Sequence, residues 1–509
     1  MIRTIFLALG AILAAIFTLL PSSHVFARPS EYQLTNDVKQ LNKRFINQTI
    51  LDACKSLQPS KNVHYILSPQ YSSTLLRYIA STTQTPVCLF LPDQPQQIAD
   101  AINVIGAKRI PFAVSSGRHA SNKGFSTTTG IQIDMKGFQG IVLDSSKQFV
   151  DVGSGNIWDN VYQVLEGTGV NIVGGRVTGV GVGGFITGGG GYSWKTNQYG
   201  LTVDTLIKAD MVLPNGTLVT ASANENPDLF WAIKGGGNQF GIIYNFRLKT
   251  NPQTAQVYGG LRTYTQDQIP AIIQAVSEFS DKNTDAKAQT IPTFNTLAGI
   301  PGISLLGFYD GPDPGTSLDY FNAPATTAKA FTNGWKAQSF SDLVRSAPAN
   351  ATAYQRGLFH SVQLKHYSLP MLQQIANQSA FWGSRPFRSG TFISYDVEPF
   401  LADWANGINT DAAWPHGNSP IPLNIYYAWS NPLDDQFYRE AALESARVLN
   451  DLANSEGQQV DQFGLYPNYA IDGSTAEQVF RQNAPRLAQL KKQFDPQNVM
   501  GLTTYFSFT

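Results

Sequence analysis

The sequence is poor in the side chains that most often bind metals or titrate near neutral pH, with two cysteines and six histidines in 509 residues. Charged residues make up 14% of the chain, and 36 basic residues balance 36 acidic ones, so the formal net charge is zero. No basic run stands out. Because a nucleic-acid-binding surface requires a positive stripe, the sequence argues against nucleic-acid binding.

Long apolar runs are also scarce, and the one exception is TIFLALGAILAAIFTLL near the N-terminus. Arg3 precedes this run, and PSSHVFA follows it, with Val25 and Ala27 at the small-residue positions of a cleavage site. A membrane anchor is the alternative, since the run is nearly long enough to span a bilayer. We expect residues 1–27 to be a signal peptide. The mature protein would then begin near Arg28, be secreted, and stay free of membranes.

The two cysteines lie in different kinds of segment. Cys54 belongs to the helix-like TILDACKSL and Cys88 to the strand-like PVCLFLP. An oxidising compartment favours a disulfide between them, and two separate buried thiols are the alternative. A secreted chain is also open to N-glycosylation, for which the sequence offers four triplets, at Asn47, Asn215, Asn350 and Asn377.

Glycine and apolar residues are abundant, with 44 glycines and 42% apolar residues, which is typical of a globular, loop-rich chain. Its length predicts two large domains. Residues 86–250 alternate strand-like runs with glycine-rich turns and two helix-like segments, of which NIWDNVYQVLEGTG has Asn156 as its predicted cap. Residues 253–457 show longer helical patterns. The tail segment TAEQVFRQNAPRLAQLKKQFDP predicts one helix that ends at Asp495-Pro496.

The richest motif is GGRVTGVGVGGFITGGGGYSW, residues 174–194. It contains a literal G-x-G-x-x-G, at Gly179, Gly181 and Gly184, with Asp204 twenty residues further on. A Rossmann loop runs directly into a helix, whereas four more glycines follow here and no helical period begins. We therefore interpret the motif as tightly turning backbone that approaches a flat or anionic group. A plain region of β-turns is the alternative.

One histidine stands in a loop of small residues, SSGRHASNKGF, where Arg118 precedes His119. A metal ligand, a catalytic base and a covalent anchor are all compatible with such a residue. Zinc ligation is poorly supported, because no nearby histidine or cysteine has the spacing of a ligand set. We expect no metal site.

Several segments in a fixed order carry a resemblance: PVCLFLP, SSGRHASN, VDVGSGNIWDNVY, the glycine motif, DLFWAIKGGGNQFGIIYNFRL, YPNYAID and FDPQNV. Together they resemble the berberine-bridge-enzyme-like flavoprotein oxidases of the vanillyl-alcohol-oxidase superfamily. The resemblance implies an α+β fold. A PCMH-type FAD-binding domain of two α+β subdomains would comprise residues 28–252 and 458–509. A substrate domain built on an antiparallel sheet would be inserted at residues 253–457.

The same resemblance implies FAD as the cofactor, bonded through a nitrogen of His119 to the flavin 8α-methyl group. A structural histidine is the alternative. Val177 stands where many relatives carry a second, cysteinyl link, so a single covalent bond is expected. Arg118 and Ala120 depart from the Gly and Ser of many relatives, and Arg118 would either add charge to phosphate binding or face solvent. The implied FAD contacts are Ser115, Ser116, Gly117, Arg118, His119, Ala120, Ser121, Val180, Gly181, Gly183, Gly184, Gly188, Gly189, Gly190, Ile243 and Asn468.

The resemblance also implies catalytic residues. Tyr469 of YPNYAID would be the base, and because a phenol has a pKa of about 10 it needs help to accept a proton at neutral pH. Asp411 of NTDAAWPHG would orient the phenol or accept its proton. The alternatives are a packed aromatic for Tyr469 and a solvated loop acid for Asp411. Val180 occupies the position where relatives gate oxygen, and valine goes with oxidases.

The resulting hypothesis is a secreted, monomeric FAD-dependent oxidase. It would transfer hydride from a hydroxylated small molecule, with mono- or oligosaccharides favoured, to the flavin, and oxygen would leave as hydrogen peroxide. An alkaloid or secondary-metabolite oxidase is the alternative within the enzyme class. A secreted flavin-binding protein without turnover is the alternative from another class.

Overall fold

The computed structural model describes residues 48–347 and 349–508. The predicted signal peptide and the sequon at Asn47 lie outside this part of the chain, as does the side chain of Asn350. Across the described ranges, no helix is long and apolar enough to cross a membrane. The same ranges contain no group of three or more His, Cys, Asp or Glu side chains that would hold a metal ion.

The first sheet has four strands in the order β1-β2-β4-β3, in which β2, β4 and β3 run parallel and β1 pairs antiparallel with β2. Its strands are short, and β2, β3 and β4 are mainly apolar and almost fully buried, as expected for strands covered on both faces. They are β1 Val63–His64, β2 Cys88–Phe90, β3 Phe112–Ser115 and β4 Ile131–Asp134.

The second sheet is antiparallel throughout, in the order β5-β6-β10-β8-β9, and a two-stranded pair β7-β11 accompanies it. Alternate residues of its strands are buried, which is the pattern of a sheet with one covered face. The strands are β5 Ile141–Leu143, β6 Phe149–Gly153, β7 Val170–Asn171, β8 Leu206–Val212, β9 Leu218–Ser222, β10 Ile242–Lys249 and β11 Asn251–Pro252.

The third sheet is larger and also antiparallel, in the order β15-β12-β14-β13-β18-β19-β17, with β16 paired to β12. Its strands are β12 Val257–Thr265, β13 Ala288–Leu297, β14 Ile300–Tyr309, β15 Thr332–Asn333, β16 Lys336–Gln338, β17 Arg356–Leu364, β18 Gly390–Val397 and β19 Ile421–Trp429. These three sheets and their helices confirm the predicted α+β class. The described residues from Asp52 onward form one compact unit, so the division into two domains stays a prediction.

The α-helices of the described residues are α1 Gln48–Ser56, α2 Pro69–Leu75, α3 Pro95–Lys108, α4 Trp158–Leu165, α5 Val182–Thr187, α6 Thr196–Tyr199, α7 Pro227–Ile233, α8 Ile269–Lys282, α9 Phe340–Arg345, α10 Leu369–Gly383, α11 Asp435–Ser455, α12 Ala476–Phe480 and α13 Ala484–Phe494. Two predictions were wrong in detail. Helix α4 begins after Ile157, and the Asn156 amide donates to the Gly153 carbonyl instead of capping it. The tail is two helices, because Arg481 takes a positive φ of 47° between them.

The predicted disulfide is confirmed. Cys54 on α1 and Cys88 on β2 are bonded, with their Cα atoms 6.2 Å apart, and both side chains are fully buried. Among the described residues there is no free cysteine. The bridge thus ties the N-terminal helix to the parallel sheet, from which the histidine loop emerges.

Candidate active site

The histidine loop leaves the parallel sheet at the end of β3. The Ser115 hydroxyl donates to the buried carboxylate of Asp134 at 3.2 Å, which holds the start of the loop. Arg118 takes a left-handed φ of 62°, and its guanidinium binds the same carboxylate at 2.5 Å. Asp134 pairs with this guanidinium, which is 10% exposed, so the expectation of a solvent-facing side chain was wrong, whereas the phosphate contact stays a prediction.

A second loop from the glycine motif is pressed against the first. A Cβ atom placed on Gly117 would lie 2.2 Å from the backbone nitrogen of Gly181, and one placed on Gly181 would lie 2.1 Å from that of Gly117. Real Cβ contacts are never so short. The two loops therefore meet backbone to backbone, and only glycine fits at either position. The Ser116 hydroxyl donates to the Ser154 carbonyl at 2.7 Å and fixes the loop from the other side.

His119 lies where these two loops meet. Asp159 accepts hydrogen bonds from the Thr178 hydroxyl and from the Gly179 N–H, which orders the turn beside the histidine. A Cβ atom on Gly179 would lie 3.1 Å from His119 Nε2, so the turn backbone closely approaches that ring nitrogen. Burial lowers the pKa of His119 to about 4, and the nearby Asp159 charge only partly opposes this. The imidazole is therefore neutral at neutral pH.

The glycine motif continues into a short helix, α5, which begins after Gly181. The expectation that no helix begins in this motif was wrong, because six residues make too short a helix to reveal a period. Asn468 packs against Gly188, where a Cβ atom would lie 2.1 Å from the amide oxygen. The Asn468 amide also donates to the Phe185 carbonyl at 3.0 Å and to the Tyr466 hydroxyl at 2.9 Å. The cofactor contacts predicted at 188–190 and at Asn468 are thus neighbours in the folded chain.

The remaining predicted cofactor contacts are scattered around these loops. Ala120 and Ser121 follow the histidine and are half-buried, and Ile243 is buried on β10. The Val180 carbonyl accepts a hydrogen bond from the Trp158 N–H at 3.1 Å, while the Val180 side chain is half-buried at the edge of the core.

These loops fit a flavin dinucleotide in their chemistry. They offer small side chains, closely approaching backbone and a neutral imidazole, and a Cβ atom on Gly184 would meet nothing within 4 Å. Backbone N–H groups in such turns suit a pyrophosphate, and an uncharged imidazole suits nucleophilic attack. The residues that would hold FAD are therefore the 115–121 loop and the 179–190 segment.

Tyr469 belongs to a second group of side chains. Its hydroxyl donates to Glu398 Oε1 at 3.0 Å and accepts from Arg176 Nη2 at 3.1 Å. The same Arg176 nitrogen lies 2.6 Å from Glu398 Oε2, so the three side chains form a closed triangle. Glu398 is 1% exposed and Arg176 is 7% exposed, which means that the ion pair is shielded from water. We call this group the Tyr469 triad.

Burial sets the proton affinities in the triad. It raises the pKa of Glu398 to about 7, against the lowering effect of Arg176 and of the Tyr469 hydrogen bond. Burial also raises the pKa of Tyr469 well above its ordinary value, and the Glu398 charge adds to this while Arg176 opposes it. At neutral pH the phenol is therefore protonated, whereas the carboxyl group is poised between its two forms.

Asp411 does not belong to this group, which corrects the second catalytic assignment. It is exposed, in a loop where its N–H donates to the Asn409 side chain. The neighbouring His416 is buried and contacts Asp204 Oδ1 at 2.9 Å. Glu398 is the carboxylate that the structure provides for Tyr469 instead.

Sequence reasoning missed Glu398 and Arg176. Glu398 directly follows β18. Nothing in the sequence around it indicates that it binds Tyr469, which lies 71 positions later. Arg176 did leave a signal, because it is the single charged residue in the motif at 174–194. A charge inside a buried, glycine-rich segment requires a counter-charge elsewhere in the fold.

Comparison with known proteins relates two parts of this chain to known protein families. Residues 86–222 match the family described as FAD binding domain, and residues 465–503 match the family described as berberine and berberine like. An FAD-linked oxidoreductase of Arthroderma benhamiae is 35% identical over 237 residues, which is 46% of this chain and about half, 47%, of that protein. An FAD-dependent monooxygenase of Aspergillus calidoustus is 29% identical over 447 residues, 83% of this chain and 82% of that protein.

Solved structures share the fold at lower identity. Xylooligosaccharide oxidase from Myceliophthora thermophila C1, in complex with xylobiose, has a TM-score of 0.72 at 22% identity and covers 90% of this chain and 98% of its own. The Physcomitrella patens BBE-like 1 wild-type structure has a TM-score of 0.72 at 19% identity and covers 88% and 97%. Both likenesses concern the fold, and both extend over almost the whole of the described residues.

Proposed function

Because residues 86–222 match the FAD binding domain family and residues 465–503 match the berberine-like family, we propose that this chain is a berberine-bridge-enzyme-like oxidoreductase, and that it is a secreted oxidase of a hydroxylated small molecule, with mono- or oligosaccharides favoured. FAD held by the 115–121 loop and the 179–190 segment would supply the redox chemistry, namely hydride acceptance from the substrate and electron transfer to oxygen with formation of hydrogen peroxide. The Cys54–Cys88 disulfide supports the secreted compartment, because such bridges persist where the surroundings are oxidising.

The observation that carries the proposal is the hydrogen bond from Tyr469 to Glu398. Tyr469 Oη already accepts from Arg176, and its second lone pair is free to accept the proton of a substrate hydroxyl. As that proton arrives, the phenol's own proton moves along the existing hydrogen bond to Glu398. This removes the difficulty of a phenol acting as a base, because no free tyrosinate has to form.

The sheet beside the triad supports a polar substrate. On β18, Asp396 accepts from the Thr293 hydroxyl and the Asn424 amide, both at 3.0 Å, so polar groups of three neighbouring strands share one face. The opposite face carries buried residues such as Tyr395, whose hydroxyl bonds to Ser445 of α11. Hydroxyl, amide and carboxylate groups on one face are suited to a polyhydroxylated molecule.

His119 is proposed as the single covalent anchor of the flavin. Its neutral imidazole keeps a nitrogen lone pair for bond formation, and Val177 lacks a sulfur for a second link. Acid-denatured protein should stay yellow, and a protease digest should place the flavin on the peptide that contains His119. Release of all flavin into the acid supernatant would exclude the anchor.

The experiment that tests the function is a substrate panel of sugars, alkaloids and other hydroxylated metabolites, read out as anaerobic bleaching of the flavin and as peroxide formation in air. We expect sugars to bleach the flavin and to yield peroxide. Bleaching by alkaloids or other metabolites alone would favour the secondary-metabolite alternative. A protein that stays yellow with the whole panel would favour a flavin-binding protein without turnover.

A further inference from the structure

One face of the His119 imidazole is covered by an aromatic ring from a distant segment. The Tyr78 ring is stacked on it, with 4.4 Å between ring centroids and 12° between ring planes. Such a stack restrains the tilt of the imidazole. It leaves the basic nitrogen lone pair of the neutral imidazole free, because this lone pair lies in the plane of the ring and not on its face.

Tyr78 is itself held from both sides. Its N–H donates to the Arg118 carbonyl at 3.2 Å, which ties it to the residue before His119. Its carbonyl accepts from the Tyr354 N–H at 2.8 Å, and its hydroxyl is 3.0 Å from the Thr352 hydroxyl. Tyr78 therefore connects the histidine loop to a segment more than 230 residues later, just before β17.

The edge of the imidazole faces the Gly179 turn. A Cβ atom placed on Gly179 would lie 3.1 Å from His119 Nε2, so the turn backbone lies near that ring nitrogen. The Tyr78 stack on the face, with the Gly179 turn near the edge, leaves the ring fewer orientations than its side-chain torsions would otherwise allow. Orienting a nucleophile in this way raises the rate of bond formation.

We propose that Tyr78 is a positioning residue for covalent attachment of the flavin to His119, an inference that rests on the covalent link proposed above. In the attachment step, the 8α-methyl carbon loses a proton, the imidazole nitrogen loses its proton, and a C–N bond forms. The electron pair of the broken C–H bond reduces the flavin, which takes up the two protons. Molecular oxygen then reoxidises it to give hydrogen peroxide.

Tyr78→Leu tests the inference, with the full-length chain loaded with FAD and compared with the wild type. The leucine fills much of the space but cannot stack. Attachment should slow about five- to tenfold, the number of imidazole orientations that become available when the ring is released. The measurement is the fraction of flavin that stays with acid-precipitated protein over time, alongside total bound flavin and the melting temperature.

Tyr78→Phe is the matched control, because it keeps the ring and loses only the hydroxyl. It should restore attachment to within about twofold of the wild type, and Thr352→Val should behave in the same way. Tyr78→Ala is the second test variant if the leucine variant melts early. Equal attachment rates in wild-type protein and in a folded variant without the ring would overturn the inference. A wild type that retains no flavin would instead overturn the covalent link itself.

Discussion

The histidine loop and the Tyr469 triad are built in different ways. The histidine loop is shaped by contacts between backbone segments, as at Gly117 and Gly181. Such contacts require glycine, because a Cβ atom at either position would clash with the backbone of the other. In the triad, three large side chains come from positions 176, 398 and 469 and meet only in the folded chain. A backbone-built site leaves a local motif in the sequence, whereas a side-chain-built site leaves isolated residues.

The largest expected effect lies in the triad. Tyr469→Phe and Glu398→Gln should each slow anaerobic flavin reduction by substrate about 10²- to 10⁴-fold, the usual contribution of a positioned general base. Flavin content should be unchanged, since neither residue lies in the predicted cofactor loop. Stopped-flow absorbance of the flavin measures this step directly.

Asp411→Asn is the matched control, because this carboxylate is exposed and stands apart from the triad. The flavin of this variant should be reduced by substrate at the wild-type rate. If Asp411→Asn were inactive and Glu398→Gln normal, the assignment made from the sequence would be restored, and the comparison between the two regions would lose its basis.

The sequence was therefore a good guide to the first region and a poor one to the second. It singled out the histidine loop and the glycine motif, because glycines and small residues cluster where backbone must come close, but it did not predict that the two loops contact each other. It also identified Tyr469, through a local resemblance. It proposed Asp411 and missed Glu398, because the order of residues along a chain does not indicate which strand end lies beside a given phenol.

The next effect concerns the backbone contact. Gly181→Ala would put a Cβ atom 2.1 Å from the Gly117 nitrogen, so the two loops must separate. Overpacking of this kind costs about 1–3 kcal/mol, and if the whole cost falls on the cofactor loops, flavin binding weakens up to about a hundredfold. Flavin titration of the apoprotein measures the change. Gly140→Ala is the control, because its Cβ atom would meet nothing within 4 Å, and it should bind flavin normally. Normal flavin binding by both variants would show that the two loops can separate at little cost in free energy.

A smaller effect is expected from pH. Glu398 must be ionised to receive the phenol proton, and its pKa is raised to about 7, so flavin reduction should rise with pH and level off above that value. The titratable side chains that interact with it are Arg176, Asp396, Tyr192, Tyr367, Tyr466 and Tyr469, and of these Arg176 supplies the only positive charge. Arg176→Gln should therefore move the rise to higher pH by about one unit, which lowers the rate about tenfold at about pH 6 and below. If the pH profile of flavin reduction in Arg176→Gln matched that of the wild type, Glu398 would not govern proton transfer.

The smallest effect is expected at Val180, in the glycine motif beside the histidine loop. Its carbonyl is fixed by the Trp158 N–H, and its side chain is half-buried, so the backbone there cannot easily shift to admit a larger residue. Val180→Leu adds one methylene, which is enough to fill a dry space the size of a diatomic gas. Reoxidation of photoreduced protein by oxygen should then slow several-fold, and at most about tenfold, while reduction by substrate stays unchanged, because the triad is untouched. Stopped-flow mixing with oxygenated buffer measures the reoxidation rate, and anaerobic mixing with substrate measures the reduction rate.

Equal reoxidation rates in the wild type and in Val180→Leu would mean that Val180 is ordinary packing. A parallel fall in both rates would mean that the loop as a whole had moved.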